Sequence, residues 1–392
     1  MIYQRKIYQS LKDHLAQRQM TVLTGMRRTG KTTLIRQLLA EAPSRNTAYI
    51  DLERVDNREL FSEKNYEVIL EALKELGISK NEKMYIALDE LQLVPNAPSV
   101  LKYLYDHYDI KFIVTGSSSY YLKNLFSESL AGRKKIFELF PLDFGEYLTF
   151  QNVPWTNRLL DNQRFNSYEY ERVKSHYENF IRYGGFPEVA IASTHATKQD
   201  ILKDIVSAYI NIDIVSLSDF RNVNQIYALM KMLASRVGTK LDYSKISRLL
   251  GISRSALISY CTFLEKTYLI ALVSVIAKRP DREIVKAKKL YFCDTGIVNT
   301  LAEISSGSQF ENTVFNQLKH TGDISYYSLK NGREIDFILS QHIAYETKES
   351  PSSDDATTVA NLAKQAGIPN SRLIGRHAVP NMQDYIWGGE IR

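Results

Sequence analysis

Cysteine is scarce in this chain. Cys261 and Cys293 are the only two in 392 residues, far apart and without a CxxC spacing or histidine partners. That excludes a disulfide framework and a cysteine-bound zinc site, and it suits a reducing compartment. Long apolar runs are missing too. The longest, 268–277, falls well short of the roughly 20 residues that a membrane helix needs, and reads instead as a buried strand. No low-complexity tract, heptad array or internal repeat stands out. The opening Met1-Ile2-Tyr3-Gln4-Arg5-Lys6 is polar and basic with no apolar stretch behind it. No signal peptide and no membrane partner are therefore expected, and a cytoplasmic location is. The net charge of +6 is mild for this length and by itself implies no nucleic-acid partner. Its distribution says more: Lys278, Arg279, Arg282, Lys286, Lys288 and Lys289 crowd one short segment, either a solvated hairpin or a phosphate-binding patch.

What is present is ordinary globular material, and its length suggests roughly two to four domains. Residues 20–23, 48–52, 84–88, 112–114 and 136–140 are short apolar strands, alternating with helical runs such as 32–39 and 66–76. That alternation predicts an α/β domain around a mainly parallel sheet, whose central strands read as continuous apolar runs because both faces are covered. From 151 to 219 the pattern turns helical and rich in tyrosine, phenylalanine and charge, as expected of a helical lid or linker. Three helices follow over 224–271, one at 243–250 and another opened by Ser253 and running to about 266. With the strands beyond them they suggest a winged helix. The last portion predicts a small α/β unit: a strand at 290–293, a helix at 309–320, strands at 334–339 and 343–347, a helix at 356–365 and a strand at 372–374.

Gly25-Met26-Arg27-Arg28-Thr29-Gly30-Lys31-Thr32 matches G-x-x-x-x-G-K-[ST]. The glycines let the backbone turn so that successive N–H groups cradle phosphate oxygens at the start of the next helix. Lys31 is expected on the β- and γ-phosphates and the Thr32 hydroxyl on Mg2+, with Thr33 completing the loop's nucleotide contacts. Asp89 and Glu90 close an apolar run where a parallel strand brings them beside that loop. Asp89 is expected to hold Mg2+ through water, and Glu90 to polarise the attacking water. A GTP-type NKxD motif is not found, so the expected ligands are ATP and Mg2+. The strand at 112–114 empties into Thr115-Gly116-Ser117-Ser118-Ser119, which offers Ser117, with Thr115 in reserve, to orient the water or sense the γ-phosphate. Arg133 is a candidate for stabilising charge on the γ-phosphoryl, within the subunit or from a neighbour in a homo-oligomer, against Arg27 and Arg28 as rivals and a plain ion pair as the bland reading.

These motifs occur in order with Leu130-Ala131-Gly132-Arg133, Pro141-Leu142-Asp143-Phe144, Tyr183-Gly184-Gly185-Phe186-Pro187, Asp294-Thr295-Gly296, Glu311-Asn312 and Glu334-Ile335-Asp336. Together they resemble the bacterial and archaeal family of AAA-type ATP-binding proteins with a C-terminal domain of unknown function. The resemblance covers nearly the whole chain. It implies a P-loop ASCE/AAA-type ATPase domain, a winged helix and a PD-(D/E)xK nuclease-like α/β domain; with the helical lid or linker read from the pattern, the expected bounds are 1–150, 151–222 for the lid, 223–289 and 290–392.

The residues add a candidate site to that last part. Asp336 lies in one apolar strand and Glu346-Thr347-Lys348 closes the next; alternation sets Glu346 and Lys348 on one face. Glu311 can approach from the preceding helix. Asp336 and Glu346 are the expected metal ligands and Lys348 the group that positions water, as metal-assisted phosphodiester cleavage requires. An exposed charged strand explains the same spacing equally well. Arg254 and Ser255 open a candidate recognition helix, so the expected partners beyond ATP are DNA or another nucleic acid, or else a protein bound without cleavage.

Overall fold

In the computed structural model, residues 3–116, 132–155, 160–161, 164–214, 223–276, 287–329, 331–380 and 384–391 are described. Ser117 and most of the basic segment, Lys278 to Lys286, lie outside them. The chain divides into two compact units, Met1–Phe140 with Lys266–Tyr268, and Pro141–Glu265 with Leu269–Arg392.

Five parallel strands build the first unit: β1 (Met20–Thr24), β2 (Thr47–Asp51), β3 (Met84–Asp89), β4 (Ile110–Gly116) and β5 (Lys134–Glu138), in the order β2-β3-β4-β1-β5. Every residue of β1, β3 and β4 is buried, whereas edge strand β2 alternates. The difference follows from position, because only the inner strands are covered on both faces and on both edges. The helices α1 (Tyr8–His14), α2 (Lys31–Ala40), α3 (Val55–Phe61), α4 (Tyr66–Glu75) and α5 (Ala97–His107) supply the rest of the unit. Two apolar clusters result, one around Val22, Ile86, Phe112 and Leu101, the other around Leu11, Leu23, Ile35 and Ile113.

A lysine sits inside this sheet. Lys111, fully buried in β4, donates its ammonium protons to the carbonyls of His14 (2.8 Å), Gln17 (3.0 Å) and Gln19. It caps the end of α1, where unpaired carbonyls favour a cation.

In the second unit α6 (Phe144–Phe150), α7 (Ser167–Tyr183), α8 (Pro187–Ile191) and α9 (His195–Ala208) form a helical layer, followed by α10 (Val223–Ala234), α11 (Tyr243–Leu250) and α12 (Arg254–Lys266). Asp242 caps α11, which ends at Gly251 in the left-handed conformation. The strands β6 (Ile270–Val273) and β7 (Lys289–Phe292) pair antiparallel. Then come α13 (Thr295–Leu301), α14 (Ser306–Leu318) and a mixed sheet of β8 (Ile324–Ser328), β9 (Glu334–Leu339), β10 (Ile343–Lys348), β11 (Asn370–Gly375) and β12 (Tyr385–Trp387) in sequential order. The first two pairings are antiparallel and the last two parallel, with α15 (Ser353–Ala366) between β10 and β11. The chain is thus α/β throughout, with a parallel five-stranded sheet and a second sheet near its C-terminus.

Three of the quoted motifs interlock in this unit. Asp294 accepts from the Gly185 N–H (2.6 Å) and the Ile297 N–H (3.2 Å), and Leu142 N–H donates to the Gly185 carbonyl (2.7 Å). Among the described residues no helix is long and apolar enough to cross a membrane.

His14 sets a pH dependence for the first unit. Its ring packs by Thr21 (2.8 Å), and burial, aided by the Lys111 charge, lowers its pKa to about 4 from 6.5. In the unfolded chain the ring takes up a proton below 6.5, and in the fold it does so only near 4, so stability falls as pH drops across that window. Urea unfolding of wild type should show this slope between those values, and His14→Gln should flatten it.

Candidate functional site

The carboxyl ends of β1, β3 and β4 meet at one edge of the sheet, where strand-to-helix turns of α/β folds collect their ligands. β1 runs into Gly25 at φ 152°, and a Cβ there would stand 2.1 Å from the Leu139 carbonyl oxygen. Only glycine passes that point. Gly30, left-handed at φ 98°, is the N-cap of α2 and turns the loop's N–H groups toward the helix start. The buried Arg5 braces the loop, donating to Thr29 O (2.9 Å) and Phe140 O (2.8 Å), while Thr29 Oγ1 donates to Met26 O (2.8 Å). The Lys31 ammonium folds back on its own loop, bonded to Gly25 O (2.9 Å) and Met26 O (3.0 Å). Arg27 pairs with Glu53 at 3.2 Å, and Arg28 takes the positive φ of the loop's crown.

Asp89 joins the parts. Thr32 Oγ1 (2.7 Å) and the Tyr49 hydroxyl (2.8 Å) both donate to its Oδ2, and Thr115 Oγ1 donates to Oδ1. Burial pushes the Tyr49 pKa up to about 12, so that hydroxyl keeps its proton and donates. The Arg36 guanidinium lies 4.3 Å from the centre of the Tyr49 ring, which fixes the ring from α2. Glu90 adopts a left-handed φ of 57°, a backbone cost of the kind that collects at working sites. Its N–H donates to Thr115 Oγ1 (3.0 Å), and its carboxylate accepts from Gln92 Nε2. The threonine hydroxyl and carboxylate oxygen 2.7 Å apart are hard oxygen donors of the kind Mg2+ takes, so these residues fit that ion. Thr115, the reserve hydroxyl, is therefore in the site.

Arg133 is elsewhere in this unit. Its carbonyl accepts from Met20 N–H at the amino end of β1, and its guanidinium pairs with Asp106 (3.1 Å). That places it the length of β1 from the loop, roughly 13 Å of extended chain, held by an ion pair. A role for Arg133 on a phosphate bound in its own subunit has no geometric support.

In the second unit the carboxylates assemble around a residue that the sequence had grouped with the basic segment. Lys289 is buried, and its ammonium pairs with Glu334 (2.9 Å), Asp336 (3.1 Å) and Glu311 (3.3 Å). Tyr291 donates to Glu311 (2.6 Å), Lys348 pairs with Glu346 (2.9 Å), and Thr347 donates to Asp336 through Oγ1 (2.7 Å) and N–H (3.0 Å). The hairpin register, continued by one residue from Phe337↔Tyr345, sets Asp336 opposite Glu346. Burial and then the Asp336 charge push Glu311 up to about 7 and Glu346 up to about 8. Burial works against the Lys289 ammonium, but Asp336, Glu311 and Glu334 hold its pKa above the ordinary lysine value. Among the described residues, the acidic and imidazole atoms close enough to share one ion are those of Asp143, Glu146 and His320, not these four. Asp143 and Glu146 are engaged in the capping box of α6.

Comparison with known proteins bears on the stretch that holds the first of these sites. Residues 17–148 match the family model described as AAA domain. That stretch is similar to AAA domains. Downstream of the AAA domain, residues 174–308 match a domain of unknown function (DUF8612), the arrangement that the ordered motifs led us to expect. The chain is 26% identical over 372 residues to the uncharacterized protein MJ1544 of Methanocaldococcus jannaschii, covering 90% of this chain and 80% of that protein. It is 25% identical to an uncharacterized protein of Haemophilus influenzae, over 85% and 84% of the two chains. Among solved structures, the ORC2 protein of Aeropyrum pernix in its ADP form aligns over 74% of this chain and 90% of its own, at 13% identity and a TM-score of 0.38.

The geometry separates two residues of the AAA domain by their effect on ATP turnover. Thr115→Val, which removes the hydroxyl shared by Asp89 and Glu90, should lower the steady-state rate by about 10- to 100-fold while nucleotide still binds. Arg133→Ala, read in the same assay at dilution, should leave the rate unchanged and cost less than about 1 kcal/mol of stability.

Proposed function

We propose that the AAA domain binds Mg·ATP and hydrolyses it. The observation that carries this reading is the 2.7 Å bond between Thr32 of the glycine loop and Asp89 at the end of β3, with Thr115 bridging to Glu90. Backbone N–H groups from Gly25 to Thr33 hold the phosphates, and Lys31 exchanges its loop carbonyls for phosphate oxygens. Thr32 and Asp89 would hold Mg2+, which would supply positive charge to offset that of the phosphates. Glu90 is the base that polarises water, and Gln92 keeps its carboxylate aimed. Arg27 and Arg28, on the loop itself, remain the candidates for meeting charge on the transferred group.

The second unit is the coupled part. We read 151–222 as a lid, 223–289 as a winged helix and 290–392 as a nuclease-like domain. The sequence of α11, a glycine turn, α12 and the antiparallel pair β6–β7 supports the winged helix. Arg254 and Ser255 stand exposed at the start of α12, where phosphate or base contacts form. ATP then switches nucleic-acid binding by this unit. A second reading, a protein partner bound without cleavage, is favoured by the exposure of Leu249 (58%) and Ile258 (38%) on the same two helices.

Calorimetry and phosphate release test the first claim. Lys31→Ala should abolish the heat of Mg·ATP binding, whereas Glu90→Gln should bind normally and hydrolyse about 10²- to 10⁴-fold more slowly. DNA retention, measured with ATP or ADP bound, should fall steeply as salt rises, because phosphate contacts release counterions. A flat salt response assigns the helix pair to a protein.

A further inference from the structure

The nuclease-like reading of the last unit carries a divalent ion with it, and the carboxylates do not fit one. An ammonium group has three N–H donors, and Lys289 has three carboxylate partners within 3.3 Å, one from α14 and two from β9. It lies at the centre of the cluster with 1% of its side chain exposed, 5.8 Å from the Tyr326 ring. Several of the other carboxylate oxygens are also committed. Asp336 Oδ2 accepts two bonds from Thr347, Glu346 Oε1 accepts from Lys348 at 2.9 Å, and Glu334 Oε2 pairs with Lys240 at 2.8 Å. Four carboxyl groups thus face three ammonium groups. A dication among the same oxygens would stand against a buried ammonium at contact distance, in a medium that screens like charges poorly. It enters only if Lys289 leaves, and Lys289 has no solvent to leave into.

We infer that Lys289 is the resident cation of this cluster: a side chain of β7 occupies the place that a metal ion takes in metal-dependent nucleases, and joins β7, α14 and β9 around itself. The unit then engages its partner without metal-dependent cleavage. This holds whichever partner it takes, and its test uses no nucleotide and no DNA, so it fails or stands separately from the ATPase and the binding readings.

The full chain, stripped with EDTA, is titrated with Mn2+ while free ion is followed by electron paramagnetic resonance and thermal unfolding is recorded in parallel. Wild type and Asp336→Asn should take up the same background of ion, with no rise in Tm for either. Lys289→Arg should behave as wild type. Lys289→Met should melt lower in EDTA, gain one Mn2+ per chain with affinity at least about tenfold above wild type, and recover Tm as Mn2+ is added. The added Asp336→Asn should abolish both gains. Wild-type uptake of one ion per chain that Asp336→Asn removes overturns the inference, as does a folded Lys289→Met chain that takes up no extra ion. Should Lys289→Met fail to fold with or without Mn2+, the wild-type and Asp336→Asn pair decides alone: equal uptake supports the resident cation and unequal uptake refutes it.

Discussion

Three hydroxyls from three elements converge on the Asp89 carboxylate: Thr32 from α2, Tyr49 from β2 and Thr115 from β4. A buried carboxylate is costly unless its oxygens are paired, and here the pairing is what fixes the loop, the strand end and the neighbouring strand in one geometry. The parallel sheet makes the convergence possible, because all its strands finish on the same edge. Glu90 inherits its place from this arrangement. Its strained backbone is held between a threonine that receives its N–H and a glutamine that grips its carboxylate. Rigidity is supplied from below by Arg5, which ties the loop to the carbonyl of Phe140.

The second unit solves a related problem by another route. Its acidic cluster is paired with lysines that come from different parts of the chain, Lys240, Lys289 and Lys348. Removing a partner from such a buried network is strongly destabilising, while the intact network adds little net stability. Geometry, more than stability, is therefore what it confers: the positions of β7, β9, β10 and α14 relative to one another within the unit.

Much of the first site was legible in the sequence because its motifs are local. The spacing from Gly25 to Thr32 and the Asp89-Glu90 pair each declare a turn and a strand end within a few residues. Thr115 was ranked below Ser117 for lack of register. In the sheet Leu23 is level with Thr115, which puts that hydroxyl beside the start of the loop. Tyr49 and Gln92 carried no signal, since a tyrosine in an edge strand is ordinary packing. Arg133 looked useful by sequence order and lies at the other end of the strands, a distinction that only the pairing of Met20 with Lys134 reveals. Among the elements, β9 and α11 matched residue for residue, whereas β12 is too short to show a period. Lys289 shows the largest gap. Its neighbours in sequence are cations, which suggested a surface patch, and its partners in space are carboxylates about 20 to 50 positions later, which no local pattern can announce.

The bond between Gly185 and Asp294 spans 109 residues. The turn after α7 is thus completed by a carboxylate that leaves the ribosome long after the turn itself. Closing so large a loop carries an entropic cost before any contact rewards it, and chains dominated by such pairings fold slowly. During synthesis the helices from α6 to α9 must wait, with Gly185 N–H unpaired by its final acceptor, until residues near 294 emerge. Any fragment that stops short of that point carries the helical layer without its clasp.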